Sequence, residues 1–230
     1  MDSAPKAGCK YPTTANACGT SFFMINLYPP TLISNATMTG SLTKRAHQWI
    51  REVAGIDDCA IDATAGNGYD TLFLAKLTAP NGRVFAADIQ PNALQSAQQR
   101  LEMEKNTAPI EWILAGHETM AQWLPRQWHG KVKAIMFNLG YLPGGDKRII
   151  TQPETTRSAL AQSCQVLASG GRITIIAYTG HPGGEEEAEQ IGSWLNALNT
   201  RQFHWQCEIP INRRHPPRLF VIEKRLETGK

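Results

Sequence analysis

The sequence predicts an α/β fold with a mainly parallel, seven-stranded sheet, helices on both faces and an antiparallel hairpin at the C-terminus. Two observations carry this. Five short apolar runs alternate with longer helix-like stretches between Cys59 and Leu198. Two further strand-like runs, Phe203–Ile209 and Leu219–Glu223, are then joined by Pro210–Arg218, a connection with no room for a helix.

The regular pattern begins at Ser41. Leu42, Ala46, Trp49, Ile50 and Val53 recur at helical spacing, so Ser41–Ala54 reads as an amphipathic helix with Ser41 at its N-cap. The expected strands are Cys59–Ala63, Arg83–Ile89, Ile110–Leu114, Val132–Asn138 and Arg172–Tyr178. The expected helices are Asp70–Leu77, Pro91–Glu104, Glu118–Leu124, Glu154–Leu167 and Glu185–Leu198. No internal repeat interrupts this order.

Residues 1–40 differ in character and are expected to be a poorly ordered extension to a domain spanning 41–230. They are rich in Thr, Ser, Asn, Ala and Pro, and Asp2 is their only acid. The apolar run around Phe22–Ile25 is too short for a secretory core and lacks a basic lead-in. Low acidity with Lys6 and Lys10 faintly resembles an organelle transit peptide, although arginine is absent before Arg45. The expected location is cytoplasmic, with organellar targeting left open.

Composition narrows the class. A hydrophobic fraction of 42% and a charged fraction of 19% suit a globular protein. No stretch approaches the ~18–20 apolar residues of a membrane span, and no membrane partner is expected. The net charge of +3 permits a nucleic-acid partner without arguing for one. Cys9, Cys18, Cys59, Cys164 and Cys207 form no Cys-x-x-Cys pair, so reduced thiols are expected rather than a disulfide framework or a metal site.

The chemistry gathers after the strands. In Ala60–Thr71 a hydrophobic strand ends in Asp62, turns through Gly66-Asn67-Gly68 and opens a helix carrying Asp70. Glycines let the backbone approach a ligand, and the helix start offers unpaired N–H groups. A dinucleotide fingerprint needs a third glycine where Thr71 stands; S-adenosyl-L-methionine, lacking a pyrophosphate, does not. Asp62 is then expected near the ammonium of that cofactor. A tight turn with no ligand is the competing reading.

Asp88 ends the second strand about twenty residues past the glycines, a position suited to the two ribose hydroxyls. Ile89 and Gln90 follow, placed for the adenine. Asp88 or Asn92 could equally cap the helix opened by Pro91. His117, in Gly116-His117-Glu118, borders the adenine or is simply structural.

The run Phe137–Lys147 is the most particular. Asn138 followed three positions later by Tyr141 has the spacing of the Asn-Pro-Pro-Tyr motif of amino-group methyltransferases, with Leu139 and Gly140 in place of the prolines. In-line attack on a sulfonium methyl needs a neutral nitrogen whose lone pair is aimed at carbon. The Asn138 carbonyl and a neighbouring backbone carbonyl can accept the amine's hydrogens, while Tyr141 stacks on the target base. His181 in Tyr178–Gly184, or Asp146, is the candidate proton acceptor. The acids Glu185–Glu187 read as a helix start complementing the dipole. Lys147, Arg148, Arg213, Arg214 and His215 are expected to meet substrate phosphates, or to form a solvated basic loop.

Together, Asp62–Gly68, Asp88-Ile89-Gln90, Gly116-His117-Glu118, Asn138–Lys147, Pro153-Glu154-Thr155-Thr156 and Gly180-His181-Pro182-Gly183 resemble the YtqB/MnmM-like family over about Ser41 to Lys224. The resemblance implies a Rossmann-like class I methyltransferase with strand order 3-2-1-4-5-7-6. It implies S-adenosyl-L-methionine as cofactor, and methylation of the aminomethyl nitrogen of 5-aminomethyl-(2-thio)uridine at the tRNA wobble position. The partner it implies is tRNA at its anticodon region; a homodimer is compatible. Tyr69 departs from the family, which usually has histidine there. The alternatives are an rRNA or small-molecule methyltransferase, or a noncatalytic RNA-binding module on the same fold.

Overall fold

The computed structural model describes residues 41–210 and 214–226. The expected N-terminal extension and Arg213 lie outside the described residues.

The alternation of apolar runs and helical stretches produces β1 (Cys59–Asp62), α2 (Tyr69–Leu77), β2 (Arg83–Asp88), α3 (Pro91–Glu102), β3 (Ile110–Leu114), α4 (Met120–Trp123), β4 (Val132–Leu139), α5 (Pro153–Val166), β5 (Leu167–Ala177), α6 (Gly184–Asn196), β6 (Phe203–Glu208) and β7 (Arg218–Lys224), with α1 (Leu42–Arg51) ahead of them. The seven strands lie in the order β3-β2-β1-β4-β5-β7-β6. β1 to β5 run parallel, and β7 is antiparallel to both β5 and β6. Strand order reverses between β1 and β4, and at such a switch point the loops beyond the strands' carboxyl ends diverge and leave a crevice.

Side-chain alternation splits the core between the two faces. Ala134 and Met136 of β4, with Leu219 and Val221 of β7, pack with α1, α2 and α3. Ile135 and Phe137, with Phe220 and Ile222, pack with α4, α5 and α6. α1 is held at one end by Glu208 of β6, which accepts Arg45 Nε at 2.9 Å and Trp49 Nε1 at 2.8 Å. Arg172 reaches across to the Trp49 carbonyl at 2.9 Å. With Ala46 and Ile50 fully buried, this clamp fixes which side of α1 faces the crevice.

Some local expectations are corrected. Ser41 holds the N-cap position of α1, but its hydroxyl makes no cap bond. Neither Asp88 nor Asn92 caps α3; Gln90 occupies that position. The expected helix Glu118–Leu124 is a 3-10 turn, His117–Thr119, followed by the single turn α4, which Pro125 ends. β5 begins five residues before Arg172, at Leu167. A register shift opposite Val132/Ala134 absorbs Ser169-Gly170-Gly171, which show no apolar alternation. Among the described residues no helix is long and apolar enough to cross a membrane.

Candidate active site

The loops after β1, β2, β3, β4 and β5, with the Thr43–His47 side of α1, enclose a cleft of about 660 Å³, within the roughly 300–1,000 Å³ of small-molecule sites. Gly66, Asn67, Asp70, Asp88, Gln90, His117, Asn138 and Tyr141 all line it. Residues separated by up to 75 positions in sequence therefore share one wall because the parallel strands end at one edge.

The glycine turn is built for close approach. Gly66 and Gly68 have φ of +51° and +80°, a region L side chains rarely adopt. Asp88 Oδ2 accepts the Gly66 N–H at 2.9 Å and Oδ1 accepts the Gln90 N–H at 2.9 Å. Each carboxylate oxygen keeps a further lone pair toward the cleft, as a vicinal diol requires. Arg100 Nε donates to the Asn67 carbonyl at 2.6 Å, and its guanidinium lies 3.6 Å from the Tyr69 ring centroid. Asn67 Nδ2 donates to the Pro143 carbonyl at 3.2 Å, tying this turn to the loop after β4.

Asp62 does not line the cleft. At 1% exposure it lies beneath the turn, accepting the Thr71 hydroxyl at 2.6 Å and the Thr64 N–H at 3.2 Å. It braces the turn from below, and the side chain of Thr71, where a dinucleotide site would have glycine, is spent on it. Burial, then the charge of Asp70, pushes its pKa from 3.8 to about 7, against those two donors. A carboxyl whose folded pKa is raised stabilises the fold fully below its unfolded value, and that contribution is lost as pH rises through the folded value. The melting temperature of wild type is therefore expected to fall relative to Asp62→Asn between pH 5 and pH 8. Thermal melts across that window check this; parallel curves would refute it.

His117 is buried, with Nε2 unpartnered and its ring edge-on to Phe137 at 5.7 Å. Burial lowers its pKa despite the neighbouring charge of Glu118. It lines the cleft after β3.

Asn138 is fixed from two sides. Its backbone N–H donates to Thr64 Oγ1 at 2.7 Å, and its Nδ2 donates to Asp70 Oδ2. Its Oδ1 is buried and has no partner. Asp70 Oδ1 lies 2.6 Å from His47 Nε2 on α1. His47 was not legible in the sequence as a site residue, and neither were Thr43, Ile149, Ile150 and Tyr178 of the cleft wall.

After β4 the chain folds back on itself as a flap. Tyr141 and Ile150 form an antiparallel bridge, and the Thr151 N–H donates to the Gly140 carbonyl at 3.0 Å. Glu187 anchors the flap from α6, accepting Thr151 Oγ1 at 2.7 Å and Thr156 Oγ1 at 2.6 Å. It is thus a buried post, not only part of an acidic helix start. Tyr141 is 40% exposed, edge-on to His181, with Lys147 Nζ at 5.8 Å from its ring centroid.

The two expected proton acceptors are placed elsewhere. Asp146 is held by Arg148, with Nη2 to Oδ2 at 2.7 Å, and these hydrogen bonds keep its carboxyl below the usual range. Neither residue lines the cleft. His181 sits behind Gly140 with Nε2 buried, and it supports Tyr141 instead of lining the cleft. Both were expected there because their loops are on the right edge, but side-chain direction was not legible. Arg214 and His215 are exposed in the β6–β7 loop. That loop lies at the same edge, since Thr179 Oγ1 donates to the Pro216 carbonyl at 3.1 Å. Arg218, by contrast, is engaged by Glu185.

The residues present fit S-adenosylmethionine. A ribose-type acid ends β2, two left-handed glycines follow β1, and a buried imidazole whose Nε2 has no partner lines the cleft after β3. This sheet order and cleft are those of the class I S-adenosylmethionine-dependent methyltransferases. Residues 84–224 match the family model described as "Putative rRNA methylase". A chloroplastic tRNA (mnm(5)s(2)U34)-methyltransferase of Arabidopsis thaliana is 37% identical over 173 residues, 72% of this chain and 62% of that protein. The chain thus matches less than two thirds of the curated relative's length. A crystal structure titled as a putative rRNA-methylase from Clostridium thermocellum is 38% identical, with a TM-score of 0.76 over 80% of this chain and 98% of that one. A putative methyltransferase from Streptococcus mutans, in complex with SAH, is 34% identical, with a TM-score of 0.71 over 81% and 99%. The chain belongs to the family described as "Putative rRNA methylase".

Proposed function

We propose that this chain methylates the aminomethyl nitrogen of 5-aminomethyl-(2-thio)uridine at wobble position 34 of tRNA. The observation that carries this reading is the Asn138 carboxamide, whose N–H is taken by Asp70 while its buried carbonyl oxygen has no partner. An acceptor held in that way suits a nucleophile that carries hydrogens and must aim a lone pair, as an amine does. The name of the plant relative, which specifies mnm(5)s(2)U34, supports the choice of amine.

In this scheme Gly66, Asn67, Gly68, Asp88, Gln90 and His117 hold the cofactor and Asp62 shapes their turn from below; Asp70, expected among them, is instead taken up by His47 and Asn138. When bound, the cofactor supplies a methyl group on a sulfonium, which already has a good leaving group. Asn138 Oδ1 accepts an N–H of the neutral amine and turns its lone pair toward that methyl. Tyr141 stacks on the uracil from the flap. Lys147, Arg148, Arg213, Arg214 and His215 meet the anticodon-loop phosphates, with Arg148 first leaving Asp146. The geometry gives no support to Asp146 or His181 as proton acceptor. The cytoplasmic location stays part of this reading; the chloroplastic relative fits the alternative of an organelle-directing leader over residues 1–40.

Purified protein, a labelled methyl donor and tRNA lacking only this methyl group test the proposal. Label is expected in the methylaminomethyl nucleoside after digestion. Transfer to rRNA fragments but not to that tRNA would replace it with the rRNA reading. Absence of donor binding by calorimetry would leave a noncatalytic RNA-binding module.

A further inference from the structure

The wall of the cleft built by α1 has no task in the scheme above, although its position is closely determined. Ala46 and Ile50 are fully buried and Arg45 and Trp49 are tied to Glu208, which leaves Thr43 and His47 facing the cleft. The His47 ring stacks on Phe73 of α2, centroids 3.7 Å apart and planes within 6°. Its rotation is thereby restricted, and Nε2 is left 2.6 Å from Asp70 Oδ1. The other Asp70 oxygen takes the Asn138 side-chain N–H. A histidine whose role was only to fill α1 would not need its ring nitrogen on a carboxylate that in turn grips the residue at the reacting centre.

We propose that His47 is a positioning residue for methyl transfer: by holding Asp70 it fixes the Asn138 carboxamide with its carbonyl oxygen toward the substrate amine. This rests on the functional reading above. A carboxamide has two nearly isosteric orientations related by a flip about χ2. With Nδ2 toward Asp70, the pair is donor to acceptor and the carbonyl faces the amine. In the flipped state the carbonyl would face a carboxylate, and the NH₂ would present hydrogens to an amine that also carries them. Asp70 therefore selects the productive state, but only if its own carboxylate is held. The buried Asp62 carboxyl is engaged by Thr71 and Thr64 beneath the turn, so it does not hold Asp70. His47, donating from the opposite wall, supplies the restraint. Misplacement of a reacting group by about 1 Å costs on the order of 10²-fold in rate.

Two neutral substitutions separate this from a packing role. Glutamine places its amide nitrogen near the position of a histidine Nε2, whereas asparagine, one carbon shorter, falls short of Asp70. His47→Asn is expected to lower kcat about 30- to 100-fold, with the KM for the methyl donor within about threefold of wild type. His47→Gln is expected to recover to within about fivefold of wild-type kcat. Equal losses in the two variants, or a loss carried by the donor KM, would overturn the proposal. A second measurement needs no substrate. The Asn138 side-chain amide resonances, identified by their disappearance in Asn138→Ala, are expected to be strongly downfield and slow to exchange in wild type and His47→Gln. In His47→Asn they are expected to lose both properties, and unchanged resonances there would overturn the positioning role. If wild type fails to methylate the amine, the functional reading falls while this spectrum still decides the geometry.

Discussion

Asn138→Ala is expected to reduce turnover on the tRNA substrate by about 10²- to 10³-fold while leaving donor affinity within about threefold, the scale seen when one preorganised hydrogen-bonding group is removed from a reacting centre. The backbone N–H of residue 138 keeps its bond to Thr64 Oγ1, so the end of β4 and the start of the flap stay in place. Asp70 keeps His47 as a partner. Asp88 and the glycine turn, proposed above to hold the donor, follow β2 and β1, on the other side of the switch point. What disappears is the Asn138 carbonyl oxygen, a buried acceptor without a partner on a residue that lines the cleft. Single-turnover rates with pre-bound donor, beside calorimetry with S-adenosylhomocysteine, separate the two quantities. Equal losses of rate and affinity would mean that Asn138 belongs to the cofactor site, and the division between cofactor and amine halves of the cleft would have to be redrawn.

The legible part of this site is the part written in short spans. Gly66-Asn67-Gly68 can be read because a strand, a turn and a helix start follow one another within a dozen residues, and Asp88 because it ends the next strand. The hairpin could be read because Pro210–Arg218 leaves no room for a helix, whereas the seat of β7 beside β5 came only from the family resemblance. What could not be read is direction. Asp62 ends β1 as expected, yet its side chain turns beneath the glycine loop to Thr71, and no spacing rule distinguishes that from facing the ligand. His181 and Asp146 lie on the expected loops, but the first packs behind Gly140 and the second is taken up by Arg148, and neither lines the cleft. The His47–Asp70–Asn138 contacts join α1, α2 and β4 across 23 and 68 positions, and only strand order brings them together. An amphipathic pattern shows which side of α1 is buried; it does not show what the remaining side meets. The early start of β5 was hidden because Ser169-Gly170-Gly171 carry no strand-like alternation.

Gly68→Ala is expected to destabilise the protein by about 2–5 kcal/mol, combining about 1–2 kcal/mol for a non-glycine residue at left-handed φ with about 1–3 kcal/mol for overpacking. A Cβ on Gly68 would lie 2.7 Å from the Ala97 Cα and 2.8 Å from its Cβ. Those atoms belong to α3, and Ala97 is fully buried, so no flexible side chain is there to move aside. Relief requires α2 or α3 to shift, and a shift of α2 moves the Asn67 carbonyl that Arg100 holds. Donor affinity is therefore expected to fall at least about tenfold in the same variant, through displacement of the turn. Gly66→Ala supplies the contrast. Its φ of +51° is also left-handed, but the nearest atom to an added Cβ is Leu142 Cδ1 at 3.6 Å, an ordinary contact. It should cost about 1–2 kcal/mol from the backbone alone. Chemical denaturation of both variants measures the difference, which isolates the closeness of α3 from the need for a left-handed residue. Equal destabilisation would mean that the backbone conformation alone demands glycine at both positions, and that the approach of α3 to the turn carries no energetic weight.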